Sequence, residues 1–353
     1  MIQVLMAALT AGLLTLVVTP FFIRFLRSRG VGQEIREDGP GTHHVKRGTP
    51  TMGGVVILIS VVAAYVLAHA PVWSTPRPIS YRALLVLFGG CGMGLLGFLD
   101  DFLKYRNQRS LGLNKTAKIV GQVAIAIVFA ILALRYTGVS TAVSFVRPTA
   151  LVLPVGLFVV LVLLLFAGAS NGVNLTDGLD GLAAGSANFV FAAFVLVAFW
   201  QFRHPAFYFP DLVAQGLEPQ ILDLAVVAAA FMGACVGFLW WNTNPARIFM
   251  GDTGSLGLGG ALAALAVLTN TELLLLVIGG LFVVETVSVI VQVFSFRVFG
   301  RRVFKMAPIH HHFEMIDWPE MTIIVRFWII SAIFVTAGMG IFYSDWLRFG
   351  AVE

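Results

Sequence analysis

Five short stretches of this 353-residue chain carry side chains suited to chemistry. Asp100-Asp101 closes an apolar run and is followed by Lys104, so that on a helix both carboxylates meet the ammonium group at neighbour spacings. Two adjacent carboxylates can hold a hard divalent cation such as Mg²⁺, which keeps several waters and takes one or two protein oxygens. The stretch NGVNLTDGLDGLAAG, residues 171–185, collects Asn174, Asp177 and Asp180 among four glycines and contains no Lys or Arg. NTNPARIFMGDTGSLGLGG, residues 242–260, sets Asp252 in a glycine-rich run whose N–H groups can approach an anion at a helix start. It lacks the GK[ST] of a Walker A loop. KMAPIHHHFE brings His310, His311 and His312 between Lys305 and Glu314. Three consecutive histidines point in different directions and make a poor zinc cage, but they can donate to pyrophosphate oxygens. GPGTHHVKRGTPTMGG, residues 39–54, adds Lys46 and Thr51. Each stretch also has a plainer reading: charges that end a span, helix caps, small residues for close packing, or a tether.

The elements that position these residues are set by composition. Apolar residues make up 58% of the chain and charged residues 12%, with a mean hydropathy of +0.91, against roughly half and about a quarter in a soluble domain. This excludes soluble-enzyme, disordered and disulfide-scaffold classes, and Cys91 and Cys235 lie inside apolar runs as small core residues. A bilayer core about 30 Å thick takes roughly 20 apolar residues of helix. Ten spans are expected, at about 4–23, 53–70, 83–99, 119–135, 151–168, 185–201, 224–240, 255–269, 273–294 and 323–343. The fold class expected is therefore an all-α, polytopic membrane protein forming one transmembrane domain over residues 1–353. The first span reads as a helix rather than a signal peptide, because no basic segment precedes it and Thr19-Pro20 leads into more apolar sequence.

Ten crossings sort the connections into two sets. Segments 24–50, 100–118, 169–184, 241–254 and 295–322 hold 16 Lys and Arg, and the other side holds 6, which predicts that the first set is cytoplasmic and both termini lie outside. The chemistry-bearing stretches all fall at the cytoplasmic ends of spans. A channel or transporter would place such groups along a mid-membrane path instead. Glu285 does lie mid-span; it reads equally as a functional carboxylate or, with Ser288 and Gln292 at helical spacing, as part of an interhelical hydrogen-bond stripe. Carboxylates for Mg²⁺, glycine loops for phosphates and a few cations at one face point to phosphoryl transfer between a soluble nucleotide compound and a lipid. Bringing one anion to 4 Å from another costs about 4 kcal/mol at an effective dielectric near 20, so cations must offset the approach.

The motifs DDFLK (100–104), NGVNLTDGLDGLA (171–183) and FMGDTGSLGLGG (249–260) resemble those of the polyprenyl-phosphate N-acetylhexosamine-1-phosphate transferases. REDGPGTHHVKRGTPTMGG (36–54) and MAPIHHHFE (306–314) look like the branch of that family acting on a muramoyl-pentapeptide. The resemblance covers nearly the whole chain in order. It implies transfer of phospho-MurNAc-pentapeptide from UDP-MurNAc-pentapeptide to undecaprenyl phosphate, giving lipid I and UMP, with Mg²⁺, by a homodimer of ten-helix subunits in the bacterial cytoplasmic membrane, without nucleic acid. It also implies that Asp100, Asp101, Lys104, Asp252 and His310 serve the chemistry, with Asp252 and Asp101 toward the metal. Lys46, Thr51, Lys115, Asn174, Asp177, Asp180, Asn242, Phe249, Gln292, His311 and His312 are then expected around the substrate, with Phe249 stacked on uracil. A relative transferring GlcNAc-1-phosphate and a non-enzymatic nucleotide-sugar or lipid carrier are the competing readings.

Overall fold

The computed structural model describes residues 1–32, 48–70, 80–107 and 112–350. Helices α1 (Ile2–Ser28), α2 (Gly54–Ala68), α3 (Tyr81–Asn107) and α4 (Lys115–Tyr136) lead to an antiparallel hairpin of β1 (Ala142–Ser144) and β2 (Pro148–Val152). Next come α5 (Val155–Thr176), α6 (Leu182–Arg203), the short α7 (Pro205–Tyr208) and α8 (Pro210–Ala214), and α9 (Pro219–Asn242). The chain ends with α10 (Gly251–Leu268), α11 (Leu274–Ile278), α12 (Gly280–Phe299), α13 (Ile309–Glu314) and α14 (Glu320–Phe349). Among the described residues nine helices are long and apolar enough to cross a membrane: α1, α3, α4, α5, α6, α9, α10, α12 and α14. The protein is thus an all-α, polytopic membrane protein. The expected span at 53–70 falls on α2, whose 15 residues rise only about 22 Å.

Two helices form the centre. Every residue of α10 from Thr253 to Leu268 is buried, as is most of α9, whereas α1, α4, α5, α12 and α14 each expose one apolar side. Lipid tails are as apolar as leucine, so such a bundle is held by close packing, and small residues set the distances. A Cβ on Gly54 of α2 would collide with the backbone of Gly254, and one on Gly97 of α3 with the carbonyl of Asp252. The first turn of α10 is therefore wedged between α2 and α3. On the other side of the core, Gly12 of α1 meets Gly233 of α9 backbone to backbone.

The helices outrun the apolar spans. α3 continues to Asn107 and α5 to Thr176, so the polar residues expected in connections at 100–107 and 169–176 are helical. The expected span at 273–294 is broken at Gly279, where two consecutive glycines separate α11 from α12 and Gly280 packs on Phe334. The hairpin was not expected: a β-branched, alternating stretch between α4 and α5 pairs Ala142 with Val152 and Ser144 with Pro148.

Candidate active site

Asp100, Asp101 and Asp252 come together at one end of the bundle, with a ligand oxygen from each within 4.8 Å of the others. α3 brings the first two at its last turns, and α10 brings Asp252 in its first turn. Gly251 makes the entry to α10 at φ +72°, a conformation open to glycine, and a Cβ there would also strike Asp101 and Thr51. The Asp101 carboxylate, 3% exposed, accepts the backbone N–H of Asp252 (3.2 Å) and of Thr253 (3.0 Å) and the Thr253 hydroxyl (2.8 Å). It thereby caps α10 from a neighbouring helix, satisfying donors left free at a helix start and placing negative charge at the positive end of the helix dipole. Asp100 accepts the Leu113 N–H at 2.9 Å, which ties the residues just before α4 to the cluster.

Two lysines thread the carboxylates. Lys104 lies 2.6 Å from Asp100, 3.6 Å from Asp101 and 3.3 Å from Asp252, and Lys118 of α4 donates to Asp252 at 2.6 Å. Asn174, near the end of α5, donates to the other Asp252 oxygen at 2.8 Å and also to Ser255. Three carboxylates and two ammonium groups carry a formal charge of −1, so the cluster still favours a further cation. Its donors are the hard oxygens that Mg²⁺ takes, and the residues fit that ion.

The flanking segments are tied together by backbone bonds. Phe249 N–H donates to Pro50 O (2.8 Å), while Gly53 and Gly54 donate to Phe249 O and Met250 O (2.9 Å each), which seats Thr51 beside Gly251 and leaves the Phe249 side chain half-buried. Asp177 caps the end of α5. Burial, reinforced by the charges of Asp252, Asp101 and Asp180, pushes its carboxyl up to about 8. Asp180 accepts Ala246 N–H at 3.0 Å, and Asn242 accepts Gly181 N–H at 3.1 Å while donating to Ile248 O at 2.9 Å. Both are buried and lock the 177–181 turn to the segment after α9.

The histidine segment forms a second group. Gln292 of α12 makes three hydrogen bonds to the backbone of Val303 and Phe304. His312 accepts Lys305 N–H, His311 pairs with Glu314, and His310 is buried against Glu285. Thr51, Asn174 and Asp177 thus join the carboxylates and Lys104, whereas Lys115 is exposed at the first position of α4. Lys46 lies outside the described residues. Lys118 is the residue that sequence reasoning missed. Its signal was available: Lys118 and Gln122 stand one turn apart on a helix that is apolar from there to Leu134, and Gln122 reaches Ser170 of α5.

Comparison with known proteins gives the family. Residues 83–270, which carry the Asp, Asn and glycine motifs, match the family described as glycosyl transferase family 4. Residues 46–58 match signature 1 of phospho-N-acetylmuramoyl-pentapeptide-transferase. A protein of that name from Frankia casuarinae is 53% identical over 355 residues, covering 98% of this chain and 99% of its own length. The chain belongs to the phospho-N-acetylmuramoyl-pentapeptide-transferase family. Members from Streptomyces griseus and Mycobacterium avium are 51% and 50% identical, each with 98% of both chains covered.

Proposed function

We propose that the protein transfers phospho-MurNAc-pentapeptide from UDP-MurNAc-pentapeptide to undecaprenyl phosphate, releasing UMP and forming lipid I for peptidoglycan synthesis. Full-length identity of about half with phospho-N-acetylmuramoyl-pentapeptide-transferases supports the reaction. The observation that carries its mechanism is the cluster of Asp100, Asp101 and Asp252 threaded by Lys104 and Lys118. An oxygen of the lipid phosphate attacks the sugar-bearing phosphorus of the nucleotide, the bond from that phosphorus to the bridging oxygen breaks, and UMP departs with the electron pair. Lys104 and Lys118 offset the repulsion between the two anions, and Asp100 orients Lys104. Asp252 and Asp101, with Asp100 beside them, would hold Mg²⁺, which would supply charge stabilisation on the transferring phosphoryl oxygens. Asp101 is turned toward α10 and keeps Asp252 in place. Thr51, Phe249, Asn174 and Asp177 line the approach of the nucleotide, with uracil on the Phe249 ring and His311 toward the phosphates and sugar.

Transfer is direct. A phosphate monoester with a second pKa near 6 is already largely a dianion at pH 7, so it needs no carboxylate base. Asp100→Asn is expected to slow turnover without trapping a sugar phosphate on the protein; isolation of such a covalent adduct would contradict direct attack. We place the carboxylate cluster on the cytoplasmic side of the bacterial inner membrane and both termini outside, with α2 as a tenth, short crossing and the active form a homodimer. The functional test is UMP release by detergent-purified protein. UMP should appear with UDP-MurNAc-pentapeptide, undecaprenyl phosphate and Mg²⁺ together, and not when UDP-GlcNAc replaces the muramoyl substrate. Release from UDP-GlcNAc would assign the protein to the sister reaction.

A further inference from the structure

Glu285 sits within α12 with no exposed surface, and His310 of α13 is equally buried. A carboxylate in an apolar span is costly unless paired, and here Oε2 lies 3.1 Å from His310 Nδ1. The bond fixes the ring: Nδ1–H donates to the carboxylate, and Nε2 is turned the other way. That nitrogen is buried and without a hydrogen-bond partner, as is the second Glu285 oxygen. Nε2 faces Gly178, where even a Cβ would collide with it. Gly178 follows Asp177 in the turn that Asp180 and Asn242 lock to the segment leading into α10. A chain of contacts therefore runs from the second turn of α12, through one imidazole, to the turn beside the carboxylate cluster.

We propose that Glu285 is a positioning residue for the transfer reaction: it clamps the His310 ring under the Gly178 turn and so sets Asp177 relative to the reacting phosphates. The inference rests on the functional reading above. A carboxylate that only glued two helices would act on stability alone; one acting through His310 acts on turnover, and only while that ring is present. Misplacing a reactive arrangement by about 1 Å costs on the order of 100-fold in rate.

The test is a double-mutant cycle on UMP release by the purified full-length protein, with thermal unfolding measured on each variant. Glu285→Ala is expected to lower kcat by about 10- to 100-fold with the KM for UDP-MurNAc-pentapeptide changed less than about threefold. Glu285→Gln, whose carbonyl can still accept the Nδ1–H, should recover most of that loss. In a His310→Asn background, the further change Glu285→Ala should cost no more than about twofold. The same loss from Glu285→Ala with and without His310, or no recovery in a folded Glu285→Gln variant, would overturn the proposal. A wild-type protein that releases no UMP would overturn the functional reading and this inference together, whereas an active wild type with independent, additive losses would overturn the inference alone.

Discussion

Asp252 is the residue on which the other polar groups converge: Lys104 and Lys118 on one oxygen, Asn174 on the other. Asp252→Ala should therefore reduce UMP release by on the order of 10²- to 10³-fold, comparable to deletion of one preorganised electrostatic group. Lys118→Met should cost roughly 10- to 100-fold, since Lys118 orients and neutralises Asp252; activity within twofold of wild type would remove Lys118 from the account. Asp177 makes a pH-dependent case. Its folded pKa, raised to about 8 from 3.8, means the native protein binds a proton more tightly than the unfolded chain, so the proton is kept at pH 7 and lost as pH rises through about 8. Asn mimics the protonated carboxyl, so Asp177→Asn should be mild at pH 7 and diverge from wild type above pH 8; a pH-rate profile parallel to wild type would contradict this. The carboxylates were legible in the sequence because polar residues closing apolar runs stand out. Lys118 is harder to read, because its partner lies 134 positions away and the one-turn spacing to Gln122 is its only local signal.

At the scale of elements, the site depends on how α10 begins. Gly251 turns the chain, Gly54 and Gly97 let α2 and α3 approach, and Asp101 caps the first turn. Loss of such a cap costs about 0.5–2 kcal/mol. Asp101→Ala should accordingly lower the thermal midpoint as well as activity, whereas Asp100→Ala, which releases a single backbone N–H, should lower activity with a smaller thermal effect; equal midpoints would show that Asp101 is not a cap. Hydropathy reads where a helix leaves lipid, not where its hydrogen bonding ends, so the helical ends carrying Asp100, Asp101 and Asn174 were read as connections. The same blindness applies at Gly279, where apolar residues on both sides hide a break, and at the hairpin, where β pairing needs a partner strand that a local pattern does not reveal.

For the whole molecule, helix ends from α3, α4, α5 and α10 bring their polar residues to one end of the bundle. Ala150→Cys in the hairpin should react with a membrane-impermeant maleimide in intact cells, and Arg301→Cys after α12 only once the membrane is opened; the reverse pattern would invert the proposed orientation. α9 and α10 are buried at the centre, while the helices around them expose apolar side chains. The central claim is that the Asp252 cluster performs Mg²⁺-dependent transfer from the muramoyl nucleotide to the lipid phosphate. Its most direct test is a Mg²⁺ titration of UMP release by wild type and Asp252→Ala, both purified and folded. The account predicts saturable metal dependence in wild type and near-complete loss in the variant at every Mg²⁺ concentration. Full recovery of the variant in excess Mg²⁺, or wild-type release without any divalent ion, would contradict it.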